Sequence, residues 1–394
     1  GGLNMYGGAG VLDSRSDVVG GTLYNEEVAY GDQRLTPDSS TAAIVPWVEA
    51  TGRFICDSAW DDGRPLAALP RHVFGRVLDR CRALGYEPVL GFEPEFYLLD
   101  PETRGPLFTG YHIFNTVRNT YTPFVQELVE LLQAYGIDVI TANCEYAGSQ
   151  WEINFTPGAG LAGPDRTFSF KNAVKELAHL SGYWATFMSK PFSGAAGSGM
   201  HTHVSLLDAG GANAMADEAD PDGISAVCRS FIAGQLRHAR SAYALLAPTV
   251  NCLKRRRPHT FSPSNVSWGP EDRSALVRIK GGSVSSRHVE HRAPTALANP
   301  YLAGAAILGA GILGIEAGLE LGPAARPPAE EDPSLEPLPT SVHESLAALE
   351  ADEPLRELLG DEFVTAYTVM RRHELQRFDD HVTDWEFDEY VEVF

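Results

Sequence analysis

Two glutamates stand two positions apart inside one of the most apolar stretches of the chain. Residues 88–99 read PVLGFEPEFYLL, and Glu93 and Glu95 lie there among three aromatic residues. This composition is typical of a β-strand, and because strand side chains alternate between two faces, both carboxylates lie on one face. Two buried like charges need a cation or an arginine beside them. For this pair taken alone, an exposed edge strand remains an alternative.

The same close spacing of ionisable residues recurs in several later segments. The residues are His201 with His203, Glu290 with Arg292, Glu145 with Glu152 across the turn-like YAGSQW, and Arg273 with Arg278. Ionisable groups on one face of separate strands are typical of a polar cavity inside a sheet or half-barrel. Carboxylates with one imidazole favour Mg²⁺ or Mn²⁺ over zinc, and neighbouring arginines indicate bound phosphate.

Charge and cysteine content exclude other classes of protein. The formal net charge of -21 disfavours nucleic acid and anionic membranes as partners. The five cysteines include no CxxC pair, so neither a zinc site nor a disulfide framework is predicted. This cysteine usage leads us to expect a protein of the reducing cytoplasm, and no signal peptide opens the sequence. Residues 301–321 are apolar but contain Glu316 and Glu320, which favours a buried helix over a membrane span.

The order of predicted elements indicates an α+β fold. Strands alternate irregularly with helices, which favours a sheet domain of this class. Helical patterns cover residues 70–86, 122–137, 171–180, 224–246, 299–319 and 341–394.

Taken together, the ionisable segments resemble the successive motifs of the glutamine synthetase family. They occur in the family's order and spacing over roughly residues 20–394, which makes the match far more specific than any one motif. The segments are GFEPEFYLL, CEYAGSQWEINF, GSGMHTHVSL, NCLKRRRP, DRSALVRI, RHVEHRAP and NPYLAGAAILGAGILGIE. The resemblance implies a truncated small N-terminal β-grasp-like domain over residues 1–62. It also implies a catalytic domain over residues 63–394, with a curved antiparallel sheet, or half-barrel, flanked by helices.

The resemblance also implies a ligand set for two or more Mg²⁺ or Mn²⁺ ions. The ligands of the first ion are Glu95, Glu145 and Glu152, and those of the second are Glu93, His201 and Glu290. Arginines that contact ATP and the γ-carboxylate correspond to Arg273 and Arg278. Arginines that hold glutamate correspond to Arg255 and Arg292. The glutamate pocket corresponds to Gly197 and His201, and the nucleotide side to His203 and Ser205.

The implied reaction has two steps, and the first brings the anionic carboxylate and the anionic phosphates together. Glutamate's γ-carboxylate takes the γ-phosphate of ATP, and an amine then displaces phosphate from γ-glutamyl phosphate. Metals and arginines offset the repulsion. Because all six metal ligands are present, an enzyme is favoured over a non-catalytic relative.

Several positions depart from the family's pattern. Where ammonia-using members have a stretch resembling PGYEAP, this chain has PHTFSP, which puts Phe261 in place of a glutamate. Tyr6 aligns with an aspartate near the start. Ala196 replaces an asparagine that helps to hold glutamate, which leaves the acid substrate less certain. His288 replaces an arginine, so Arg287 is the candidate to cover the ATP phosphates.

The first two departures concern the amine. Ammonium is a cation that needs carboxylates, whereas Phe261 and Tyr6 imply an uncharged pocket that suits a larger apolar amine. We therefore predict a γ-glutamyl-amide synthetase acting on an organic monoamine, an aromatic one being a candidate. Two alternatives stay open: another acid replaces the missing pair, or ammonia is still used.

The resemblance further implies an assembly with shared active sites. Family members form a double ring in which the N-terminal domain of one subunit completes the site of the next, and closed rings of this kind are built from heterologous contacts. Roughly the first half of that domain is absent from this sequence by comparison. Tyr6 and Asp32 are expected to reach a neighbour's site.

Overall fold

The computed structural model describes residues 2–110, 113–120, 122–257 and 259–393. The strands lie between residues 3 and 291, and five of them precede the first α-helix. They are β1 (Leu3–Tyr6), β2 (Asp32–Pro37), β3 (Ala43–Ile44), β4 (Gly52–Arg53), β5 (Cys56–Trp60), β6 (Glu87–Leu99), β7 (Val139–Cys144), β8 (Gln150–Phe155), β9 (Gly158–Ala159), β10 (Trp184–Thr186), β11 (Met200–Leu207), β12 (Trp268–Pro270), β13 (Val277–Lys280) and β14 (His288–His291).

Helices begin after the first five strands and dominate the end of the chain. They are α1 (Pro70–Ala83), α2 (Thr116–Thr120), α3 (Pro123–Ala134), α4 (Ala162–Leu180), α5 (Ala226–Arg237), α6 (Ala239–Leu246), α7 (Val250–Leu253), α8 (Pro300–Glu316), α9 (Val342–Ala351), α10 (Glu353–Leu359), α11 (Asp361–Asp379) and α12 (Asp384–Tyr390).

One large open sheet organises most of the chain. Its strand order is β12-β13-β14-β11-β6-β8-β7, with β9 and β10 also paired to β6. The pairs are antiparallel apart from β12 with β13, a short parallel edge pair that ends at Pro270. A proline donates no backbone hydrogen bond and is found at sheet edges. With helices packed against this sheet, the predicted α+β class is confirmed.

Two small sheets precede the large one. Strands β1, β2 and β5 form an antiparallel sheet, and β3 pairs with β4. All five strands lie within residues 1–62, the range predicted for a separate N-terminal domain. The boundary itself stays a prediction.

Helix α8 is the buried helix that the sequence predicts. It packs on α1 and α5, and its glycines allow the close approach: a Cβ added at Gly311 would stand 2.1 Å from the Phe231 ring, and one at Gly234 of α5 would stand 2.2 Å from the Ala310 carbonyl oxygen. Among the described residues, no helix is long and apolar enough to cross a membrane.

The single helix predicted over residues 224–246 is wrong in one respect. The chain forms two helices that meet at His238. The imidazole Nδ1 of His238 lies 2.7 Å from the Asp352 carboxylate at the start of α10. This tertiary contact fixes the break, and a pattern local to α5 and α6 does not contain it.

Candidate active site

The register of the large sheet brings the ionisable residues together. Across neighbouring strands, His201 stands opposite Glu93, and Glu95 opposite Glu152. Glu290 stands opposite His203 on one side and opposite Arg278 on the other. Because side chains two apart share a face, residues predicted from separate segments meet on one face of β13, β14, β11, β6 and β8.

A tight cluster forms where β6, β11 and β14 meet. Ligand atoms of Glu93, His203 and Glu290 lie within 4.8 Å of one another. His201 is adjacent, with Nδ1 3.6 Å from a Glu93 oxygen and 3.8 Å from a Glu290 oxygen. Burial raises the pKa of Glu93, but the two histidines outweigh it and hold that pKa well below its ordinary value. Burial also raises the pKa of Glu290, yet His201, Arg292 and His203 together lower it to about 2.

Two arginines neutralise Glu290. Arg278 Nη1 donates to Glu290 Oε2 at 2.9 Å, and its other terminal nitrogen bonds Glu271. Arg292 bonds Glu290 Oε1 and donates from Nε to the Arg273 carbonyl oxygen at 2.8 Å. Both arginines are buried, and such charge-assisted bonds are strong in a water-poor site. The side chain of Arg273 is exposed.

Three further acids crowd together on the neighbouring strands. Burial, together with the charge of Glu145, raises the pKa of Glu95 to about 8. Burial and the charges of Glu93, Glu95 and Glu145 raise the pKa of Glu152 to about 9. Burial also raises the pKa of Glu145. The protein supplies neutral donors but no arginine or lysine hydrogen bond to this set within the described residues: Asn143 and Asn154 donate to Glu145 and Glu152 at 3.1 and 2.9 Å.

This arrangement fits divalent cations. Five carboxylates and two imidazoles lie together on one face of the sheet, and uncompensated burial of such acids disfavours their ionised forms. Mg²⁺ and Mn²⁺ prefer carboxylate oxygen ligands, with imidazole tolerated by the latter. The set is the one predicted from sequence with His203 added to it. The assignment of each residue to the first or second ion stays a prediction.

Gln150 positions Glu95, although it is not among the residues predicted from the sequence. Its amide nitrogen donates to Glu95 Oε2 at 2.9 Å and to the Gly197 carbonyl oxygen at 3.1 Å. The backbone N–H of Gly199 donates to the same Glu95 oxygen at 3.1 Å. Gln150 shares a face of β8 with Glu152, so the period-two pattern contained the signal.

Arg255 lies over two glycines that leave room for it. A Cβ at Gly197 would stand 2.5 Å from Arg255 Cγ, and one at Gly199 would stand 2.6 Å from Arg255 Nη2. The arginine reaches His201, with Nη2 3.3 Å from Nε2. Arg255, Gly197, His201 and Arg292 are thus brought together, and their role as a glutamate pocket stays a prediction.

Arg287 is not brought to the site. It directly precedes His288, so the two side chains point to opposite faces of the sheet. Its Nη1 donates to the Lys280 carbonyl oxygen at 3.1 Å, and its Nη2 packs on Gly223. Ser205, by contrast, shares the face of β11 with His201 and His203.

The two residues predicted for the amine pocket belong to different parts of the fold: Tyr6 to the small sheet of β1, β2 and β5, and Phe261 to a loop beside the large sheet. Tyr6 ends β1, where its hydroxyl donates to Asn25 and its ring neighbours Tyr30. Phe261 lies beside the catalytic face, where its carbonyl oxygen accepts from Arg292 Nη2 at 3.3 Å. Its ring stacks on Tyr146, which directly follows Glu145 and was not predicted.

Comparison with known proteins decides the family. The model of the glutamine synthetase catalytic domain matches residues 67–390. The chain belongs to the glutamine synthetase family. The predicted family is therefore confirmed, and with it the prediction that the chain is an ATP-dependent ligase.

Relatives of this glutamine synthetase family member fall into more than one branch. A glutamine synthetase of Halobacterium salinarum is 34% identical over 379 residues, covering 92% of this chain and 84% of the relative. A gamma-glutamylethanolamide synthetase of Streptomyces coelicolor is 35% identical over 389 residues, covering 95% and 82%. A solved structure of GmaS without ligand superposes with a TM-score of 0.87 at 29% identity, covering 99% of this chain and 90% of that one. The predicted resemblance to the γ-glutamyl-amide branch is thereby supported.

Proposed function

We propose that this protein ligates the γ-carboxylate of glutamate to an organic monoamine through γ-glutamyl phosphate, with release of ADP and phosphate. The observation that carries the proposal is an aromatic pair beside the cluster of acids and arginines. Phe261 stacks on Tyr146, and we call this pair the aromatic wall. Phe261 stands at the position where ammonia-using members of the family have a glutamate.

The first half of the reaction is supported by the charges of the site. Bound Mg²⁺ or Mn²⁺ supplies Lewis-acid neutralisation of phosphate and carboxylate oxygens. Arg255 and Arg292 are buried and positioned to hold a carboxylate substrate. Arg278 places a fixed cation beside Glu290, and exposed Arg273 is free to follow an anionic group. Fixed donors of this kind stabilise developing charge without reorganisation.

The second half is supported by the chemistry of the amine wall. Phe261 and Tyr146 are each nearly half exposed, so their rings are open to a ligand. Aromatic rings bury a large apolar surface, and they give an ammonium ion no carboxylate partner. A neutral arylamine, or a monoamine with an apolar substituent, therefore fits better than ammonium. The ethanolamide synthetase among the relatives acts on an organic monoamine, as its name states.

An amine panel with matched variants tests this function. Phosphate release and γ-glutamyl products are measured with glutamate, ATP and Mg²⁺ plus ammonia, ethanolamine, benzylamine, aniline or a diamine. We expect an organic monoamine to exceed ammonia in kcat/KM. The variant Phe261→Glu restores the family's acid, and Phe261→Gln has the same size without charge. The glutamate variant alone should shift the preference toward ammonia, by about tenfold or more, the value of one well-placed charged contact.

Two results would contradict the proposal. If ammonia exceeds every organic amine in the unmodified protein, the chain is a glutamine synthetase, the activity named for several relatives of similar identity. If no amine supports turnover while another acid replaces glutamate, the acid substrate is wrong, a point raised by Ala196.

We also propose that subunits share active sites within a double ring. In this arrangement Tyr6 and Asp32, paired across β1 and β2, approach a neighbour's Phe261. Mass photometry gives the oligomeric state, and mixing Tyr6→Ala subunits with Glu290→Gln subunits should give more activity with an organic amine than either variant alone if sites are shared.

A further inference from the structure

The ring of His203 is held in a hydrogen-bonded chain that begins at a backbone carbonyl. His288 Nδ1 lies 2.6 Å from the Ser286 carbonyl oxygen, and His288 Nε2 lies 3.0 Å from His203 Nδ1. The two rings meet edge to face, with centroids 5.0 Å apart. His288 stands where the family's pattern has an arginine, so this chain of contacts is a feature of this sequence.

The carbonyl fixes which nitrogens carry protons. A carbonyl oxygen only accepts, so His288 Nδ1 is the donor. A neutral His288 then has a lone pair on Nε2, which accepts from His203 Nδ1. His203 Nε2 is left as a lone pair. Each proton of the chain has an acceptor, and the remaining nitrogen points toward Glu93 and Glu290.

The surroundings of His203 Nε2 call for a cation. This atom is buried and lies 2.9 Å from Glu93 Oε1, yet it makes no hydrogen bond of acceptable geometry within the part of the chain that the structure describes. A lone pair facing a carboxylate is unfavourable unless a proton or a metal ion lies between the two atoms, and a divalent cation shared with Glu290 meets that need. Ligating histidines typically donate their second nitrogen to a protein acceptor that fixes the tautomer, and His288 is such an acceptor.

His201 presents the opposite tautomer. Its Nε2 faces Arg255 Nη2 at 3.3 Å. Because a guanidinium has only donors, this nitrogen accepts, and the proton of a neutral His201 lies on Nδ1. In this geometry His201 directs an N–H at Glu93 and Glu290, so its predicted ligation of the ion requires the other tautomer, whereas His203 already directs a lone pair at them.

We propose that His203 is a ligand of a divalent cation held with Glu93 and Glu290, and that His288 is the residue that positions it. This inference rests on the metal-dependent function proposed above and adds to it a nitrogen ligand from the nucleotide side of the cluster. The same nitrogen would bring the ion next to the phosphates of a bound nucleotide.

Mn²⁺ binding to the metal-stripped protein tests the proposal without substrates. Free Mn²⁺ is followed by electron paramagnetic resonance, and the nitrogen coupling of bound Mn²⁺ is measured by electron spin echo modulation. We expect His203→Phe to remove or reduce the imidazole coupling and to weaken binding. His288→Phe should weaken binding by about 10–100-fold, the usual effect of losing such a partner. His288→Gln retains an acceptor and should bind Mn²⁺ nearly as the unmodified protein does.

Controls separate this proposal from loss of structure and from the proposed function. His343→Phe removes an exposed histidine of α9 and should change nothing. Circular dichroism and oligomeric state identify any variant that misfolds, and the His288→Gln comparison then carries the test. An unchanged imidazole coupling in His203→Phe overturns the inference while leaving the ligase function intact. Failure of the unmodified protein to bind Mn²⁺ at all would contradict the ligase function itself.

Discussion

The ring of Phe261 stacks on the ring of Tyr146, with centroids 6.2 Å apart and planes inclined by 30°. Tyr146 follows the acid Glu145, and Phe261 is tied to Arg292 through its carbonyl oxygen. One aromatic pair therefore joins the predicted first-metal ligands to the predicted glutamate pocket. Because the pair lies beside the metal ligands and the glutamate pocket, it is positioned to contact the amine that attacks an activated γ-carboxylate.

Removing the Tyr146 ring should raise the KM for the amine by a larger factor than it lowers the kcat of the ligation reaction. Tyr146→Ala deletes half of the aromatic wall, and losing one such ring contact costs about 0.5–1.5 kcal/mol beyond the buried area. We expect KM for an aromatic or apolar amine to rise about tenfold, with a smaller change for ammonia. Tyr146→Phe keeps the ring and serves as the control. Equal losses for all amines would argue against this wall as a specificity element.

Adding metal should stabilise the protein, and Glu152 should account for part of that effect. Without a cation, burial and three neighbouring acids raise the pKa of Glu152 to about 9, so its ionised form is disfavoured. Binding at a hundredfold excess over Kd adds about 2.7 kcal/mol of stability. Thermal unfolding at pH 8 should therefore shift upward with Mg²⁺ or Mn²⁺ and downward with a chelator.

Substitution separates metal binding from general stability. Glu152→Gln should reduce the metal-induced shift, yet melt at an equal or higher temperature than the unmodified protein in chelator, because the amide replaces an acid that folding must hold protonated at pH 8. Glu127→Gln, on the exposed face of α3, should behave as the unmodified protein does. A metal-free Glu152→Gln protein that is markedly less stable would mean that another group already compensates this acid.

The sequence predicts the site better than it predicts the contacts around it. Alternation along β6, β11 and β14 places Glu93, His201 and Glu290 on one face, because a two-residue period is local information. Cross-strand partners, such as the one between His203 and His288, depend on register and remain outside a local pattern. Arg287 shows the limit: residue type favours a phosphate contact, but its place one position from His288 turns it to the other face.

Long-range packing explains the other differences. The predicted helix over 224–246 is interrupted at His238 because Asp352, more than a hundred residues later, binds its imidazole. Tyr146 was overlooked because an aromatic residue in a turn is ordinary. It gains meaning only from its neighbour Phe261, which comes from a distant loop. Periodicity likewise does not distinguish the γ-glutamyl-amide branch from ammonia-using members of the family, and the prediction of that branch rests on single substitutions such as Phe261.

A methyl group at Gly197 should impair glutamate binding. The Cβ of Gly197→Ala would stand 2.5 Å from Arg255 Cγ and 2.9 Å from the Ser189 carbonyl oxygen, so Arg255 has to move. We expect KM for glutamate to rise at least tenfold, since misplacing a positioning group by about 1 Å can cost a hundredfold in rate. Gly75→Ala, where an added Cβ meets no atom within 4 Å, is the control. An unchanged KM would remove Arg255 from the glutamate pocket.

Lys171 should make stability rise with pH above neutrality. Burial, with a smaller contribution from Lys175, lowers the pKa of Lys171 to about 7, while its Nζ donates to the carbonyl oxygens of Ala296 and Ala298 at 2.7 and 3.0 Å. The pKa in the unfolded chain is about 10.4, so the folded protein binds fewer protons between these values. Stability then increases from pH 7 to about 10, by at most ~1.4 kcal/mol per pH unit.

Urea unfolding at pH 7, 8 and 9 measures this slope. Lys171→Met should flatten it, and should also cost stability because two carbonyl oxygens lose their donor. Lys254→Met removes an exposed lysine and should leave the slope as it is. A slope that persists unchanged in Lys171→Met would show that other groups cause it. Such a persistent slope would also mean that Lys171 stays charged through this range, with the two carbonyl oxygens offsetting its burial.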